Sequence, residues 1–334
     1  MAKHFTIKKQ EEEYLEFELM DVNISLANAI RRVVLSEIET LAIDDKNVKI
    51  IENTCPLHNE YISHRVSLIP VKQFRDISGL EFYISKKNTK DIPIENEQLG
   101  ILEVTTNNIQ IYDTNTDSWI NPEDIFDGVY LITKLNIKQK FLATFTITKG
   151  TAMEHSRWQC VNSIAYRYKT KADLQPNQEY DKISLEEEHS NWIKKGSTDE
   201  PAGFLFYLES NGKMNCDTII YNALEIINNK CFKFIDYIQK NKNDIVWHKS
   251  GMIEVEYEGE MHTLGNLIST MGLELLGEQD FIGYRIVHPM LNKFILRMKI
   301  YDNDSREEHI RILLDLVSKI TTFINKLKVE WESI

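Results

Sequence analysis

The sequence predicts an α+β fold built from two related modules, each a small sheet with helices, that pair within one chain. Three observations predict it: a strand-and-helix pattern occurs twice, each copy ends in a long amphipathic helix, and only the first copy contains a long β-rich insertion. The expected division is a first module at 1–43 and 145–240, the insertion at 44–144, a linker at 241–250 and a second module at 251–334.

Each copy begins with a strand and a shorter helix. Residues 14–19 and 252–257 alternate between apolar and polar side chains, as a strand with one buried face does. A helix that begins with Leu, a small residue, Asn, an apolar residue and Ile follows each strand. We expect Ser25 and Thr263 to cap these helices, because their hydroxyl groups can accept the first free backbone N–H groups.

Each copy continues with an apolar strand and a long helix. The strands are expected at 203–208 and 293–300, and a turn at 211–212 follows the first of them. Ser305 with Glu308 three residues later is a capping box, so the last helix is expected to begin there. The two modules therefore share one order of elements.

Both long helices carry apolar residues at alternating spacings of four and three, the period of a coiled coil. These seams are Ile220, Leu224, Ile227, Cys231, Phe234 and Ile238 in the first helix and Leu313, Val317, Ile320, Ile324, Leu327 and Trp331 in the second. For one helix alone, an equally good interpretation is that the seam covers its own sheet. Two matched seams in two matched modules favour pairing of the modules. The expected pairing interface comprises Leu26, Ile30, Ile220, Leu224, Ile227, Phe234, Leu264, Leu267, Ile268, Leu313, Val317, Ile320 and Ile324.

The insertion is expected to be β-rich, with Asn- and Asp-rich turns such as 113–117 between its strands. Its strand candidates are 47–52, 81–85, 101–105, 109–112 and 141–148. A polar stretch at 171–200, which contains three consecutive glutamates, is expected to be a surface excursion or a mobile loop.

Charge and cysteine usage favour an intracellular protein with protein partners. The chain has 39 basic and 51 acidic side chains, a formal charge of −12, whereas proteins that bind a phosphate backbone need a basic excess. We therefore expect little or no direct contact with nucleic acid. Cys55, Cys160, Cys216 and Cys231 are too far apart in sequence for a structural zinc site and are expected to be free thiols. No apolar run is long enough to span a membrane, and no signal segment is expected.

No catalytic, cofactor-binding or metal-ligating residues are expected. A two-metal catalytic centre needs several converging aspartates, and the only dense acidic group, 302–304, fits a turn before the cap at Ser305. His155 stands beside Glu154 without a third group, so a structural hydrogen bond is its expected role. An enzyme is therefore the least favoured class.

Arg31 and Arg32 lie between Ile30 and Val33, where a buried helical stripe meets the surface. The ordinary interpretation is a solvated helix edge. Guanidinium groups on a rigid helix can also anchor a partner protein through bidentate hydrogen bonds. Composition alone favours the ordinary interpretation.

Motifs in the first module resemble those of a known family. Residues 26–38 followed by 42–44 resemble the first-helix motif of the third-largest subunit of eukaryotic RNA polymerase II, a motif shared by the archaeal D subunit and the bacterial α amino-terminal domain. Residues 62–70 are similar to the His-Arg-x-x-Leu-Ile-Pro segment of that family. Residues 149–158 resemble its Lys-Gly…Glu-His-x-Lys-Trp segment, which accounts for His155 without catalysis.

The second module resembles the smaller partner in the same family. Residues 262–268 and 284–289 are similar to motifs of the eleventh subunit, or archaeal L. The resemblance implies two alpha-subunit-type dimerisation modules fused in one chain, without catalysis of their own. It implies a platform on which two large catalytic RNA polymerase subunits assemble, with small zinc-bearing subunits docking beside it. By the same resemblance, the docking residues expected are Arg31, Arg32, His64 and Arg65.

Two departures from the family affect what the resemblance implies. The insertion has only Cys55, so neither the zinc nor the iron–sulfur site of some relatives is expected. Fusion in one chain resembles the arrangement in large cytoplasmic DNA viruses, which implies host cytoplasm and virion; a cellular nuclear polymerase would imply the nucleus. A free-standing interaction scaffold or transcription regulator with the same fold stays open as the alternative.

Overall fold

The computed structural model describes residues 3–72, 77, 79–89, 100–126, 128–170, 173, 192–194, 200–301 and 303–334. They form two compact units. The larger unit comprises Met1–Leu35, Ser163–Glu209 and Cys216–Ile334, and the smaller unit comprises Ser36–Asn162 and Ser210–Asn215. The insertion expected at 44–144 falls within the smaller unit, although the domain boundaries themselves stay predictions. The polar stretch 171–200 lies mostly outside the described residues, as does the first residue of the acidic group 302–304.

Strands and helices follow the α+β class, which is confirmed. The strands are β1 (Phe5–Gln10), β2 (Tyr14–Met20), β3 (Glu39–Ile43), β4 (Lys49–Asn53), β5 (Leu80–Lys87), β6 (Leu102–Thr105), β7 (Ile109–Asp113), β8 (Ser118–Ile120), β9 (Leu131–Leu135), β10 (Lys140–Phe145), β11 (Ile147–Thr151), β12 (Val161–Tyr168), β13 (Gly203–Ser210), β14 (Val246–His248), β15 (Met252–Glu258), β16 (Phe281–Ile286) and β17 (Lys293–Lys299). The helices are α1 (Ile24–Ser36), α2 (Asn59–Ser67), α3 (Pro122–Ile125), α4 (Cys216–Lys240), α5 (His262–Leu275) and α6 (Arg306–Glu332).

The first sheet of the larger unit has the strand order β1-β2-β13-β12. β2 pairs antiparallel with both β1 and β13. The alternation that predicted β2 places Leu15, Phe17 and Leu19 on its buried face. Phe17 stacks on Phe206 of β13, with ring centroids 4.9 Å apart. The core of this sheet is therefore aromatic.

The second sheet of the larger unit has the order β14-β15-β17-β16, with antiparallel neighbours. β14 belongs to the segment predicted as a linker, and its Val246 pairs with Glu254 of β15. The turn between them contains Gly251 at φ +70°, a left-handed conformation that favours glycine. Part of the expected linker is thus an edge strand of the second sheet.

The two long helices, α4 and α6, pack against each other in antiparallel orientation. Asn228 Nδ2 donates to Asn325 Oδ1 at 2.9 Å, and Lys328 Nζ lies 3.4 Å from Glu225 Oε1. All residues of both predicted seams are buried. α6 also packs on β15 and β17 of its own sheet, so the two interpretations of its seam are not exclusive.

Of the three predicted helix caps, two are wrong and one is confirmed. α1 begins at Ile24, and the Asn23 side chain accepts the Ser25 N–H at 2.7 Å, so Ser25 is not the cap. α5 begins at His262, which places Thr263 inside the helix. Ser305 does cap α6, accepting the Glu308 N–H at 3.4 Å.

In the predicted capping box, the Glu308 side chain would accept the Ser305 N–H, and this hydrogen bond is not formed. The Ser305 N–H donates instead to Asn303 Oδ1 at 2.9 Å, and the Glu308 carboxylate pairs with Arg311 one turn further along the helix. An Asn close before the helix, or an Arg after the Glu, competes for the same groups, and spacing alone does not reveal that competition.

The smaller unit is mainly β-structure, as the sequence predicts. Its sheet has the order β4-β10-β5-β7-β8, and the pairs β3–β11 and β6–β9 lie beside it. The strand expected at 141–148 is divided between β10 and β11, which join different sheets. Helices α2 and α3 were not predicted. The core of the unit includes stacked rings of Phe82 and Phe145, with centroids 5.1 Å apart.

Candidate functional site

Each long helix packs one end against the sheet of the other module. Trp331, near the end of α6 of the second module, lies 4.9 Å from Phe5 and 5.3 Å from Phe17 of the first sheet, measured between ring centroids. Glu330 Oε1 accepts the Phe5 N–H at 2.9 Å, and Trp331 Nε1 donates to the Asp217 carbonyl oxygen at 3.0 Å. The carboxyl-terminal helix therefore completes the core of the amino-terminal sheet.

The reverse contact is made by α4 of the first module. The Phe234 ring centroid lies 5.0 Å from Tyr257 and 5.9 Å from Phe294, both in the second sheet. Phe234 and Phe294 are fully buried. Aromatic pairs at these separations contribute about 0.5–1.5 kcal/mol beyond the area they bury. The two modules are thus joined by an exchange of helix ends.

The shorter helices add to the same contact region. Leu26, Ile30, Leu264, Leu267 and Ile268 are all buried, and their assignment to the module interface stays a prediction. Polar groups link the modules at the margin. Arg32 Nε donates to Thr263 Oγ1 at 3.0 Å, and Asn23 Nδ2 donates to Glu274 Oε1 at 2.8 Å.

Polar residues within the helix pair escaped the sequence analysis. Asn228 is nearly fully buried, and its hydrogen bond to Asn325 crosses from α4 to α6. Asn325 is half-buried, and an amide pair of this kind in a helical seam favours one register, since a slip would break its hydrogen bond. The available signal was an Asn directly after the seam residue Ile227. Cys231 is buried nearby, and burial raises the pKa of its thiol to about 12, which keeps it protonated and unreactive.

The two adjacent arginines of α1 have different surroundings. Arg32 is exposed and bonds to Thr263 as described above. Arg31 is half-buried, and its Nε and Nη2 donate to Asn28 Oδ1 at 3.2 and 3.0 Å. Arg31 forms no ion pair with any described residue. It lines a cleft of about 870 Å³ whose other wall is β12.

Aromatic side chains and one ion pair form the rest of this cleft. Tyr166 and Tyr168 of β12 and Trp192 line it, and the Tyr168 and Trp192 ring centroids are 4.7 Å apart. At one end, two guanidinium nitrogens of Arg167 donate to both carboxylate oxygens of Asp173 at 2.7 Å. Hydrogen bonding to Arg167 holds the pKa of the Asp173 carboxyl well below its usual range. The sequence did not predict this cleft.

His64 and Arg65 lie on α2 of the smaller unit. His64 is exposed. Arg65 Nη2 donates to the Leu131 carbonyl oxygen at 2.8 Å, and its guanidinium carbon lies 5.9 Å from the Tyr61 ring centroid. Arg65 therefore holds α2 on β9 with at least part of its side chain. The four expected docking residues are divided between the two units, with Arg31 and Arg32 in the larger one.

The segment 149–158 has a structural role in the smaller unit. Arg157 is buried, and its Nη1 lies 2.9 Å from Asp44 Oδ1 and 2.7 Å from Asp45 Oδ1. Hydrogen bonding to Arg157 lowers the pKa of Asp45 to about 2. His155 Nδ1 accepts the Arg157 N–H at 3.1 Å, so its side chain caps a short helical turn. This hydrogen bond agrees with the structural role expected for His155.

A buried lysine completes this cluster and was missed by the sequence analysis. Lys213 Nζ donates to the Arg157 carbonyl oxygen, and burial lowers the pKa of Lys213 to about 8. Trp158 packs so closely on Gly150 that a Cβ there would lie 2.6 Å from the indole ring. The two sequence motifs at 42–44 and 149–158 thus meet in one folded cluster.

Among the residues that the structure describes, no three His, Cys, Asp or Glu side chains are grouped so that they could hold a metal ion. None of the four cysteines forms a disulfide; Cys55 is half-buried and the others are buried. None of the described helices is long and apolar enough to cross a membrane.

Comparison with known protein families finds two matching regions. Residues 16–231 and residues 252–327 each match a model of the RNA polymerase Rpb3/Rpb11 dimerisation domain. The first match alone covers more than half of the chain. Together, the matches include strands of both sheets and the larger part of each long helix of the larger unit.

Several curated proteins are similar to this chain. "DNA-directed RNA polymerase subunit Rpo3" of Thermococcus kodakarensis is 25% identical over 265 residues, which cover 71% of this chain and 98% of that protein. "DNA-directed RNA polymerase II subunit RPB3" of Schizosaccharomyces pombe is 24% identical over 260 residues, 68% of this chain and 84% of that protein. "DNA-directed RNA polymerases II, IV and V subunit 3" of Arabidopsis thaliana is 26% identical over 213 residues, 58% of this chain and 64% of that protein, so less than two thirds of the plant protein is matched.

Proposed function

Because the chain belongs to the RNA polymerase Rpb3/Rpb11 dimerisation domain family, we propose that it is a non-catalytic assembly-platform subunit of a multisubunit DNA-directed RNA polymerase. Its two modules, third-subunit-like and eleventh-subunit-like, pair within the chain. Two large catalytic subunits dock on the pair, and small zinc-bearing subunits bind beside it. Direct contact with nucleic acid is absent or slight, in agreement with a formal charge of −12.

The observation that carries this proposal is the exchange of helix ends between the modules. Trp331 of the second module completes the first sheet, and Phe234 of the first module completes the second sheet. Each module thus contributes an aromatic side chain to the core of the other module's sheet, and we expect the pair to fold as one body. A rigid body with two related faces is what an assembly platform needs, because each face can receive a different large partner.

We propose Arg31, Arg32, His64 and Arg65 as docking residues for the large subunits. Arg31 supports this best, because among the described residues it forms no ion pair and it lines an open cleft. Arg32 also supports the module interface through Thr263. Arg65 is partly engaged by the Leu131 carbonyl oxygen, which leaves His64 as the more exposed group of its pair.

Affinity purification of the tagged chain from its native source tests the proposal. We expect two large polymerase subunits to remain bound through a stringent wash. Arg31→Ala should reduce their recovery by on the order of thirtyfold, because a charge-assisted interface pair contributes about 2 kcal/mol or more. Arg311→Ala is a matched control, since Arg311 is an exposed helical arginine that pairs with Glu308.

Two outcomes would refute the platform role. Recovery of the chain with no large subunit would favour a free-standing scaffold or transcription regulator. A magnesium-dependent activity of the isolated chain would instead favour an enzyme. The folding of Arg31→Ala should be near normal, because partly exposed charged groups contribute little to stability.

We also propose, from the tandem arrangement of the two modules, a source in a large DNA virus. The chain would then act in viral transcription, in the host cytoplasm and the virion. In a cellular nuclear polymerase it would act in the nucleus. Immunolocalisation in infected cells separates these sources, because nuclear staining alone would contradict the viral proposal.

A further inference from the structure

The cleft between α1 and β12 is open along the outer edge of a sheet. β12 is the last strand in the order β1-β2-β13-β12, so no described strand pairs with its outer edge. Beyond β12, one isolated antiparallel bridge joins Thr170 and Trp192. The backbone N–H and C=O groups of an edge strand are a ready template for an added strand. The cleft volume, about 870 Å³, is large enough for several side chains.

The aromatic walls of the cleft are held in place from behind. The Tyr166 ring lies 5.5 Å from Phe204 and 5.2 Å from Phe206 between centroids, and both phenylalanines are fully buried. Tyr168 is held between Phe204, at 5.8 Å, and Trp192, at 4.7 Å. Rigid tyrosine and tryptophan side chains lose little conformational entropy on binding and are enriched at interface hot spots.

The two arginines at the cleft differ in whether a carboxylate pairs with them. Arg167 is neutralised by its bidentate ion pair with Asp173, which also accepts the Thr170 N–H at 2.7 Å. Arg31, in contrast, has only the neutral Asn28 amide oxygen as a partner among the described residues. A guanidinium group has five N–H donors in a planar fork, and a carboxylate is its preferred partner. Among the residues that the structure describes, therefore, no carboxylate pairs with the Arg31 guanidinium.

We propose that this cleft binds an extended, carboxylate-bearing segment of a partner protein. The segment adds along the outer edge of β12, places apolar side chains against Tyr166 and Tyr168, and directs a carboxylate to Arg31. Main-chain hydrogen bonds supply affinity in this mode, and the side-chain contacts supply specificity. The proposal rests on the proposed function in one respect: the partner is expected to be a large polymerase subunit.

Site-specific photo-crosslinking in the full chain tests this proposal. A photoreactive phenylalanine analogue replaces Ala165, an exposed residue of β12 that lines the cleft, in chain co-expressed with the large subunits. Mass spectrometry then identifies the crosslinked peptide. The same analogue at Ser118 is a matched control, because β8 is also an exposed edge strand but belongs to the smaller unit.

We expect one crosslinked segment of the partner that carries Asp or Glu, and none of that segment at Ser118. Arg31→Glu should lower the crosslink yield by about tenfold or more, since it replaces attraction by repulsion. Arg31→Lys should retain part of it, because charge is kept but the bidentate geometry is lost. Changing the carboxylate residue of the crosslinked segment to Arg should restore the yield of Arg31→Glu.

Several results would overturn the proposal. Crosslinks only to residues 174–191 of the same chain, or only to a second copy of it, would assign the cleft a different occupant. Equal crosslink yields for the unmodified chain and Arg31→Glu would refute the proposed pairing of Arg31 with a carboxylate. If large subunits co-purify but Ala165 crosslinks to none of them, the cleft proposal fails while the platform proposal stands. If an acidic segment of an unrelated protein crosslinks and no large subunit co-purifies, the platform proposal fails instead.

Discussion

Truncation of one seam residue should weaken both long helices together. Ile227 of α4 is 1% exposed and directly precedes Asn228, whose amide bonds to α6. Ile227→Ala removes three buried carbons, which is worth about 2.4 kcal/mol at about 0.8 kcal/mol per buried methylene. A cavity that does not close would raise the loss toward about 5 kcal/mol. Aspartate at the same position should unfold or aggregate the chain, because it buries an unpaired charge.

Hydrogen exchange measured by mass spectrometry locates this loss. In Ile227→Ala, amides of α4 and α6 should exchange about fiftyfold faster, since every 1.4 kcal/mol corresponds to a factor of ten. Peptides from the smaller unit should be unchanged and serve as an internal reference. Asn229→Ala, an exposed position on the same helix, should alter exchange by less than threefold, because it changes stability by within about 0.5 kcal/mol.

The pattern of exchange matters more than its size. If α4 amides accelerate while α6 amides keep their protection, α4 packs only on its own sheet and the pairing of the two helices is wrong. A double-mutant cycle with Ile324→Ala adds a second criterion. Ile324 directly precedes Asn325 and is fully buried, so contact with Ile227 should give a coupling of about 0.5–3 kcal/mol. If the losses in the free energy of unfolding of the two single variants simply add, Ile227 and Ile324 are not in contact.

Four further predictions concern pH, register and metal. Burial lowers the pKa of Lys213 to about 8, below the ordinary 10.5, so the unfolded chain binds more protons than the folded chain between these pH values. The free energy of unfolding should therefore rise as pH increases from about 8 to 10.5. Lys213→Met should flatten that rise when unfolding is followed by urea titration. The pKa of Asp45, about 2 against an ordinary 3.8, is lowered chiefly by a hydrogen bond from a buried guanidinium, so its contribution is complete above pH 3.8 and lost as pH falls to about 2. Asp45→Asn should remove that step from acid unfolding followed by circular dichroism. Asn228→Leu with Asn325→Leu should raise the unfolding midpoint but allow exchange of modules between chains, and a strictly monomeric elution profile would contradict this. Elemental analysis of the purified chain should show no stoichiometric zinc or iron, and one equivalent of either would refute the cysteine argument.

Elements governed by local periodicity could be predicted from the sequence. The seams of α4 and α6 repeat every three or four residues, and their apolar members are buried as expected. β2 and β15 alternate with a period of two, and each lies inside its sheet between two neighbours. In these segments, burial of one face decides the structure, and that face is visible in the order of side chains.

Features that depend on distant residues could not be predicted. Asn23 competes with Ser25 as the cap of α1, and the structure rather than the spacing decides between two strong cap residues. The aromatic cleft brings Arg31 close to Tyr166 and Trp192, which are remote in the chain. Arg157 meets Asp44 through strand pairing between β3 and β11, a long-range contact without a local signal.

The short connection between the modules explains why their pairing need not depend on protein concentration. α4 ends at Lys240 and β14 begins at Val246, so five residues join the first module to the second sheet. A tether of that length gives an effective concentration on the order of millimolar, provided that it spans the two attachment points. Two separate chains with the same interface would dissociate on dilution, because their folded state is linked to association. In this chain, the contacts that Trp331 and Phe234 make with the sheet of the other module are intramolecular. The proposed platform would therefore present its two modules in a fixed one-to-one ratio before any large subunit arrives.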